Sequence, residues 1–305
     1  MDLVEKLRGA SKSLPLVLCL AAACLLAATF SPGRAWASVN VHKLEDLPFE
    51  TAEQVAGHAV WQSNSKVSMV GSAKKSQDTW YSGITGYELC KQGDGILLQN
   101  VGTDVDGDAY DLRISLSRAT GKTMADIYGE GDQGFRHPCR KSYARLDLLT
   151  ESGAPKVGER IVLFLCEQSN GDIDLTFSYL KHGTSKAAKA NLYGQVFDID
   201  YNNDYDRPYW SNPVFGALEG QVFKNNGDIY LASNTKLKAD ASNGKVWIPA
   251  ANAGNANGKD WRNGVGYAMR SSSTTITCAA GESVDFWFDL QKAPSPPVKG
   301  YEIQG

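Results

Sequence analysis

Histidine is scarce in this sequence, and the signatures that depend on it are missing. His42, His58, His137 and His182 are scattered, with no H-x-x-x-H spacing. That removes the two-histidine helical metal site. No C-x-x-C pair occurs, so neither a zinc ribbon nor a thioredoxin-like site is supported. No G-x-S-x-G elbow marks a nucleophilic serine. Basic clusters are also lacking, and the formal net charge is −3. A mildly acidic chain of this kind is a poor match to nucleic acid or an anionic membrane. No internal repeat is present, and extended apolar faces at helical period are few.

The one long apolar run lies at the start. Lys6, Arg8 and Lys12 precede 17 residues from Leu14 to Phe30, followed by Pro32, Gly33 and the A-x-A site Ala35-Trp36-Ala37. This is the layout of a secretory signal peptide, residues 1–37, with cleavage expected after Ala37. The run is short for a spanning helix, which needs ~20 apolar residues. Export places the protein outside the cell, away from nucleotide cofactors. Removing Lys6, Arg8, Lys12 and Arg34 with Asp2 and Glu5 leaves 27 basic and 32 acidic residues.

Four cysteines remain after the leader: Cys90, Cys139, Cys166 and Cys278. In an exported chain they imply up to two disulfides with three connectivities, Cys139 with Cys166 closing the shortest loop. The alternative for Cys166, inside the apolar IVLFLC, is a buried free thiol.

The remainder reads as all-β, a β-sandwich or jelly-roll-like stack of antiparallel sheets with few short helices. In 110–116, Tyr110, Leu112, Ile114 and Leu116 alternate with Asp111, Arg113 and Ser115, one face buried and one wet. Asp106-Gly107 between 96–101 and 108–116 is a tight hairpin signal. Further strands are expected at 160–166, 173–180, 193–200, 220–223, 228–232, 245–249, 274–278 and 283–290. Short helices are expected at 49–61, capped by Thr51 and Gln54, and at 185–191. The organisation expected is a segment 38–84, β regions 85–184 and 185–291, and a Pro-rich linker 292–305 leading to further domains.

Several motifs carry less than they first suggest. Gly129, Gly131 and Gly134 form a G-x-G-x-x-G, but no apolar helix follows, so it reads as a surface loop. Gly121-Lys122-Thr123 lacks the first glycine of a phosphate loop. His137 with Cys139 has no orienting third group. The richest segment is DIDYNNDYDRPYW, 198–210. Its carboxylates Asp198, Asp200, Asp204 and Asp206 are candidate calcium ligands. Tyr201, Tyr205, Tyr209 and Trp210 are candidate contacts for a sugar or peptide. A helix–loop–helix calcium loop is excluded, because Asn203 and Tyr209 stand where Gly and Glu are required. The stretch 104–111 is read as the hairpin instead. A glycosidase-like carboxylate pair among Asp198, Asp200 and Glu219 is the enzymatic alternative. Trp210, Trp247 and Trp261 are either a sugar platform or sandwich core.

NVGTDVDGDAYDLRISL (100–116) resembles the N-V-G-T … G-k-x-x-D-L-k-I-t hairpin of Gram-positive cell-surface adhesins of streptococci and actinobacteria. VFDID (196–200) with Glu219-Gly220, and AGNANGKDWRNGVGYAM (253–269), resemble later stretches of the same proteins. The resemblance implies an exported, non-catalytic head at the cell surface or cell wall, ahead of collagen-adhesin B-type stalk repeats and a sortase signal. It also implies Lys–Asn isopeptide crosslinks, though it marks no catalytic residue. The four cysteines depart from the cysteine-poor pattern of that family. The expected partner is an extracellular protein or glycan, with no nucleotide, no nucleic acid and no cofactor beyond calcium. The alternative is a secreted carbohydrate-active enzyme or carbohydrate-binding module.

Overall fold

Strand-forming sequence dominates the computed structural model of the chain, and helix is nearly absent from the residues it describes. These are 40–43, 59–76, 83–104, 106–123, 125–126, 141–150, 152–159, 161–167, 171–189, 192–197, 199, 220–224, 228–252, 265–269, 273–278 and 283–287. The chain divides into residues 1–36 and 37–305, and every described residue belongs to the second unit.

Seventeen strands are described. They are β1 (Asn40–Lys43), β2 (Lys66–Val70), β3 (Lys74–Ser76), β4 (Thr85–Leu89), β5 (Gly95–Thr103), β6 (Ala109–Ala119), β7 (Ala144–Thr150), β8 (Ile161–Glu167) and β9 (Ile173–Lys181). β10 (Leu192–Phe197), β11 (Gly220–Lys224), β12 (Asp228–Leu231), β13 (Lys238–Asp240), β14 (Lys245–Trp247), β15 (Val265–Met269), β16 (Ser273–Cys278) and β17 (Ser283–Trp287) follow. They form two sheets. The first runs β1-β12-β15-β10-β17-β8-β7-β4-β3 and the second β13-β14-β11-β16-β9-β6-β5-β2. All pairings are antiparallel except β1 with β12. Strands from both sides of residue 185 contribute to each sheet: β8 pairs with β17, and β9 with β16.

The alternation in the sequence decides which face turns inward. Tyr110, Leu112, Ile114 and Leu116 of β6 are 0 % exposed, as are Leu175 and Phe177 of β9. They share one apolar cluster with Leu146, Leu163 and Leu165 of the first sheet. Tyr110 and Tyr179 meet in it with ring centroids 4.7 Å apart, tilted by 58°. The opposite face of the second sheet is polar. Thr176 Oγ1 donates to Ser117 Oγ at 2.9 Å and lies 2.8 Å from Thr275 Oγ1, while Ser178 and Ser273 pair at 2.8 Å.

Three local expectations are corrected. The β5–β6 hairpin forms, but Thr103 pairs with Ala109 across a loop of residues 104–108, not a two-residue turn. Gly107 takes φ 81°, and Asp104 accepts the amides of Asp106 and Asp108 through its carboxylate. Residues 185–189 are not helical: the Ala188 amide donates to Tyr179 and Ala187 bridges to Leu180. Residues 59–61 are extended as well, the Val60 amide donating to Val101 and the Ile161 amide to Ala59. Short Ala-rich segments nucleate helix poorly, and tertiary strand pairing overrides their propensity. Residues 49–58 lie outside the described residues.

Candidate functional site

Two crossings join the sheets at one side of the sandwich. The chain passes from β2 to β3 through residues 71–73, and from β4 back to β5 through residues 90–94. One carboxylate ties both. Asp94, 0 % exposed, accepts the Ser72 amide at 2.7 Å and its hydroxyl at 2.9 Å on Oδ1. Its Oδ2 accepts the amides of Cys90 at 2.9 Å and Lys91 at 3.0 Å. Burial pushes this carboxyl up, but these hydrogen bonds outweigh it and hold it below its ordinary value. Gly71 is required beside it, because at φ 70° a Cβ would lie 2.6 Å from Asp94 Oδ1.

Between the two edge strands, β2 and β3, lies a cleft of about 450 Å³. Lys66 and Val67 of β2 form one wall, and Lys75, Thr85 and Tyr87 of β3 and β4 the other. Leu148, Trp61 and Pro155 complete it. Lys75 stands opposite Tyr87, whereas Lys74 stands opposite Glu88 on the alternate face. No carboxylate is among the described residues that line the cleft. Lys66 and Lys75 are exposed and form no ion pair among the described residues. Burial raises the Tyr87 phenol above its ordinary value.

Trp61 is held by its backbone. Its amide donates to Glu159 O at 2.9 Å, and its carbonyl accepts the Gly158 amide at 2.8 Å. That turn is in turn fixed by the Glu159 carboxylate, which accepts Thr150 Oγ1 at 2.9 Å and the Ser152 amide at 3.0 Å and pairs with Lys156 at 2.8 Å. Lys156 and the Ser152 hydroxyl lower the carboxyl from 4.5 to about 2. A depressed acid stabilises the fold above its unfolded value, and that contribution disappears as pH falls from about 4.5 towards 2. The stability gap between wild type and Glu159→Gln is therefore expected to be widest near about pH 6, to narrow below about pH 4.5 and to close only towards about pH 2, read as urea midpoints. A gap independent of pH would refute the role of this carboxylate.

A second polar group sits at the β5–β6 tip. Carboxylate oxygens of Asp104, Asp106 and Asp108 lie within 4.8 Å of one another. The chain answers them itself: Lys181 Nζ is 2.8 Å from Asp108, Lys189 Nζ is 2.5 Å from Asp106, and the Lys189 amide donates to Asp104. Nearby, His182 Nδ1 is 2.6 Å from Asp111 Oδ1, and Asp111 also accepts the amides of Asn100 and Gly183. Asn100 has φ 54° at the irregularity in β5, so Asp111 pins that kink to the end of β9.

The residues singled out in the sequence fall elsewhere. Asp198, Asp200, Asp204, Asp206, Tyr201, Tyr205, Tyr209 and Trp210 lie outside the described residues, as do Glu219, Trp261, His137, Cys139 and the segments 1–37, 129–134 and 292–305. Trp247 is half-buried on β14, with Lys245 Nζ 5.5 Å from its ring centroid. Cys90 is a free thiol, raised above its ordinary value chiefly by burial. Two bridges would need all four thiols, so the expected maximum of two falls to one. Cys278 is buried on β16, and of Cys166 only the backbone, on β8, is described. The cleft was missed because Trp61, Lys66 and Lys75 fall in a stretch assigned no strand.

No protein-family model and no curated protein sequence matches this chain. Among solved structures, the chain is similar to the N-terminal domain of the Streptococcus gordonii adhesin Sgo0707, with TM-score 0.48 and 12 % identity over 85 % of this chain and 67 % of that one. The adhesin domain of PrgB from Enterococcus faecalis follows, with TM-score 0.42 and 11 % identity over 84 % and 91 %. That domain bound to DNA gives 0.41 and 11 % over 83 % and 97 %. Glucan binding protein C of Streptococcus mutans gives 0.40 and 12 % over 88 % and 83 %. None reaches a TM-score of 0.5, and none assigns a residue or a ligand to this chain. No helix of the described residues is long and apolar enough to cross a membrane.

Proposed function

We propose that this protein is the exported, non-catalytic head of a bacterial surface protein, binding an extracellular macromolecule at the cell surface. The leader-like start supports export. The cleft between β2 and β3 carries the binding reading: it is open, framed by β-strands, and combines aromatic, aliphatic and cationic side chains. Its volume lies within the ~300–1,000 Å³ typical of ligand clefts, which suits a short stretch of polymer rather than a whole protein epitope. Among the described residues, the lining holds no carboxylate, thiol or imidazole. Glycan and matrix-protein arrays probed with the folded protein test this. Retention of at least one ligand, weakened about tenfold or more by Trp61→Ala, is the expected result. Silence on both arrays with a cooperatively folding protein overturns it.

A further inference from the structure

We propose that the ligand of the β2–β3 cleft is an acidic saccharide, a pyranose chain bearing carboxylate or sulfate groups, gripped between Lys66 and Lys75. This rests on the binding-head reading above and adds the chemistry of the ligand.

Charge is the first argument. The chain as a whole is acidic, with 34 acidic against 31 basic residues. The cleft reverses that sign locally. Lys66 and Lys75 line opposite walls, both exposed, and the described lining holds no acid. Three lysines elsewhere, Lys156, Lys181 and Lys189, are each held by a carboxylate at 2.8, 2.8 and 2.5 Å; Lys238 and Lys245 are exposed like Lys66 and Lys75 but do not line the cleft. Two ammonium groups in a concave site whose described lining holds no carboxylate favour an anion, since low-dielectric walls strengthen the attraction.

Shape and surface are the second. Trp61 and Pro155 give the cleft flat apolar surface, and Thr85 adds a hydroxyl. The C–H face of a pyranose packs on such surface while its acidic substituents reach the cations. An acidic peptide would engage the lysines but leave the flat surface to whatever side chain happened to follow. The backbone ties of Trp61 to Gly158 and Glu159 hold this surface in place before any ligand arrives, which limits the ordering cost of binding.

Binding of the full chain to oligogalacturonate and dextran sulfate, with dextran, poly-glutamate and a DNA duplex as comparators, tests the inference by calorimetry or biolayer interferometry. Expected is binding to at least one acidic saccharide, more tightly than to dextran, poly-glutamate or DNA, weakening as salt rises. Which of the two acidic saccharides binds distinguishes carboxylate from sulfate. Lys66→Ala with Lys75→Ala is expected to weaken it about tenfold or more. Lys238→Ala with Lys245→Ala removes the same charge from β13 and β14, at the far edge of the second sheet, and is expected to leave affinity within about twofold. Both substituted pairs are exposed, so loss of fold does not confound the comparison. Equal binding to dextran overturns the acidic requirement while leaving the head a glycan binder. Tighter binding to poly-glutamate or DNA overturns the saccharide assignment. Loss of affinity in the β13–β14 control alone overturns the location. Absence of binding here, with a ligand retained on the arrays, overturns this inference only, whereas silence on both overturns the binding head as well.

Discussion

Arg145→Met is expected to lower the unfolding free energy by about 3–5 kcal/mol, the typical cost of removing one partner from a buried ion pair. Arg145 and Asp147 are both 0 % exposed on β7. Arg145 Nε lies 2.7 Å from Asp147 Oδ1, and Nη2 donates to Oδ2 at 3.0 Å. The two residues share the face of β7 that turns away from Leu146 and Leu148, and every residue of that strand is buried. In strand register, Lys74 stands opposite Glu88 and Glu88 opposite Arg145, so charge alternates across β3, β4 and β7. Methionine fills a similar volume but leaves the buried Asp147 carboxylate without the guanidinium. Arg145→Lys keeps the charge and loses the planar fork, and its cost is expected to be intermediate. Urea unfolding of both variants checks the order. A loss below about 1 kcal/mol for Arg145→Met would mean the pair is not what holds β7 in place.

How far such features can be seen in a sequence depends on whether their signal is local. β5 and β6 were legible because alternation and turn chemistry coincide: Ile96, Leu98, Leu112 and Ile114 all point inward, and Asp106-Gly107 marks the reversal. β7 was not, because both its faces are buried and its charged pair breaks the apolar pattern. β2, β3 and β4 escaped for the opposite reason. All three are short and border the open cleft; β2 and β3 are edge strands that carry lysine, so one side of each has no core to match. The sheet order was illegible altogether. Thr176 meets Thr275 across 99 residues, and no nearby residue announces that. The candidate site shows the same limit. The 104–108 carboxylates read as a turn, and the lysine that answers Asp108 lies 73 positions later. The cleft is assembled from Trp61, two edge strands, Leu148 and Pro155, none of which carries a motif.

Asp94→Ala is expected to cost about 4 kcal/mol and to weaken ligand binding without touching a residue of the cleft. A hydrogen bond to a charged group contributes ~1.5–3 kcal/mol, and Asp94 accepts from three amides and a hydroxyl. The total falls short of the sum because the freed amides regain some water once the corner opens. Asp94→Asn retains one acceptor but presents a donor to amides that are themselves donors, so about 2–3 kcal/mol is expected for it. The sign with pH follows from the lowered carboxyl. Its stabilisation is complete above the ordinary carboxylate range and is lost as pH drops through the depressed native value, so the gap to wild type narrows in acid. The coupling to binding arises because the Ser72 crossing sets where β2, with Lys66, stands relative to β3, with Lys75. Loosening the corner spreads the two cations over more arrangements, and an affinity that depends on both falls. Denaturant titrations at two pH values, with binding measured under folding conditions, separate these effects. Full stability loss with unchanged affinity would show that the cleft is shaped by Trp61 and Pro155 alone, and not by the carboxylate that joins the two sheet crossings.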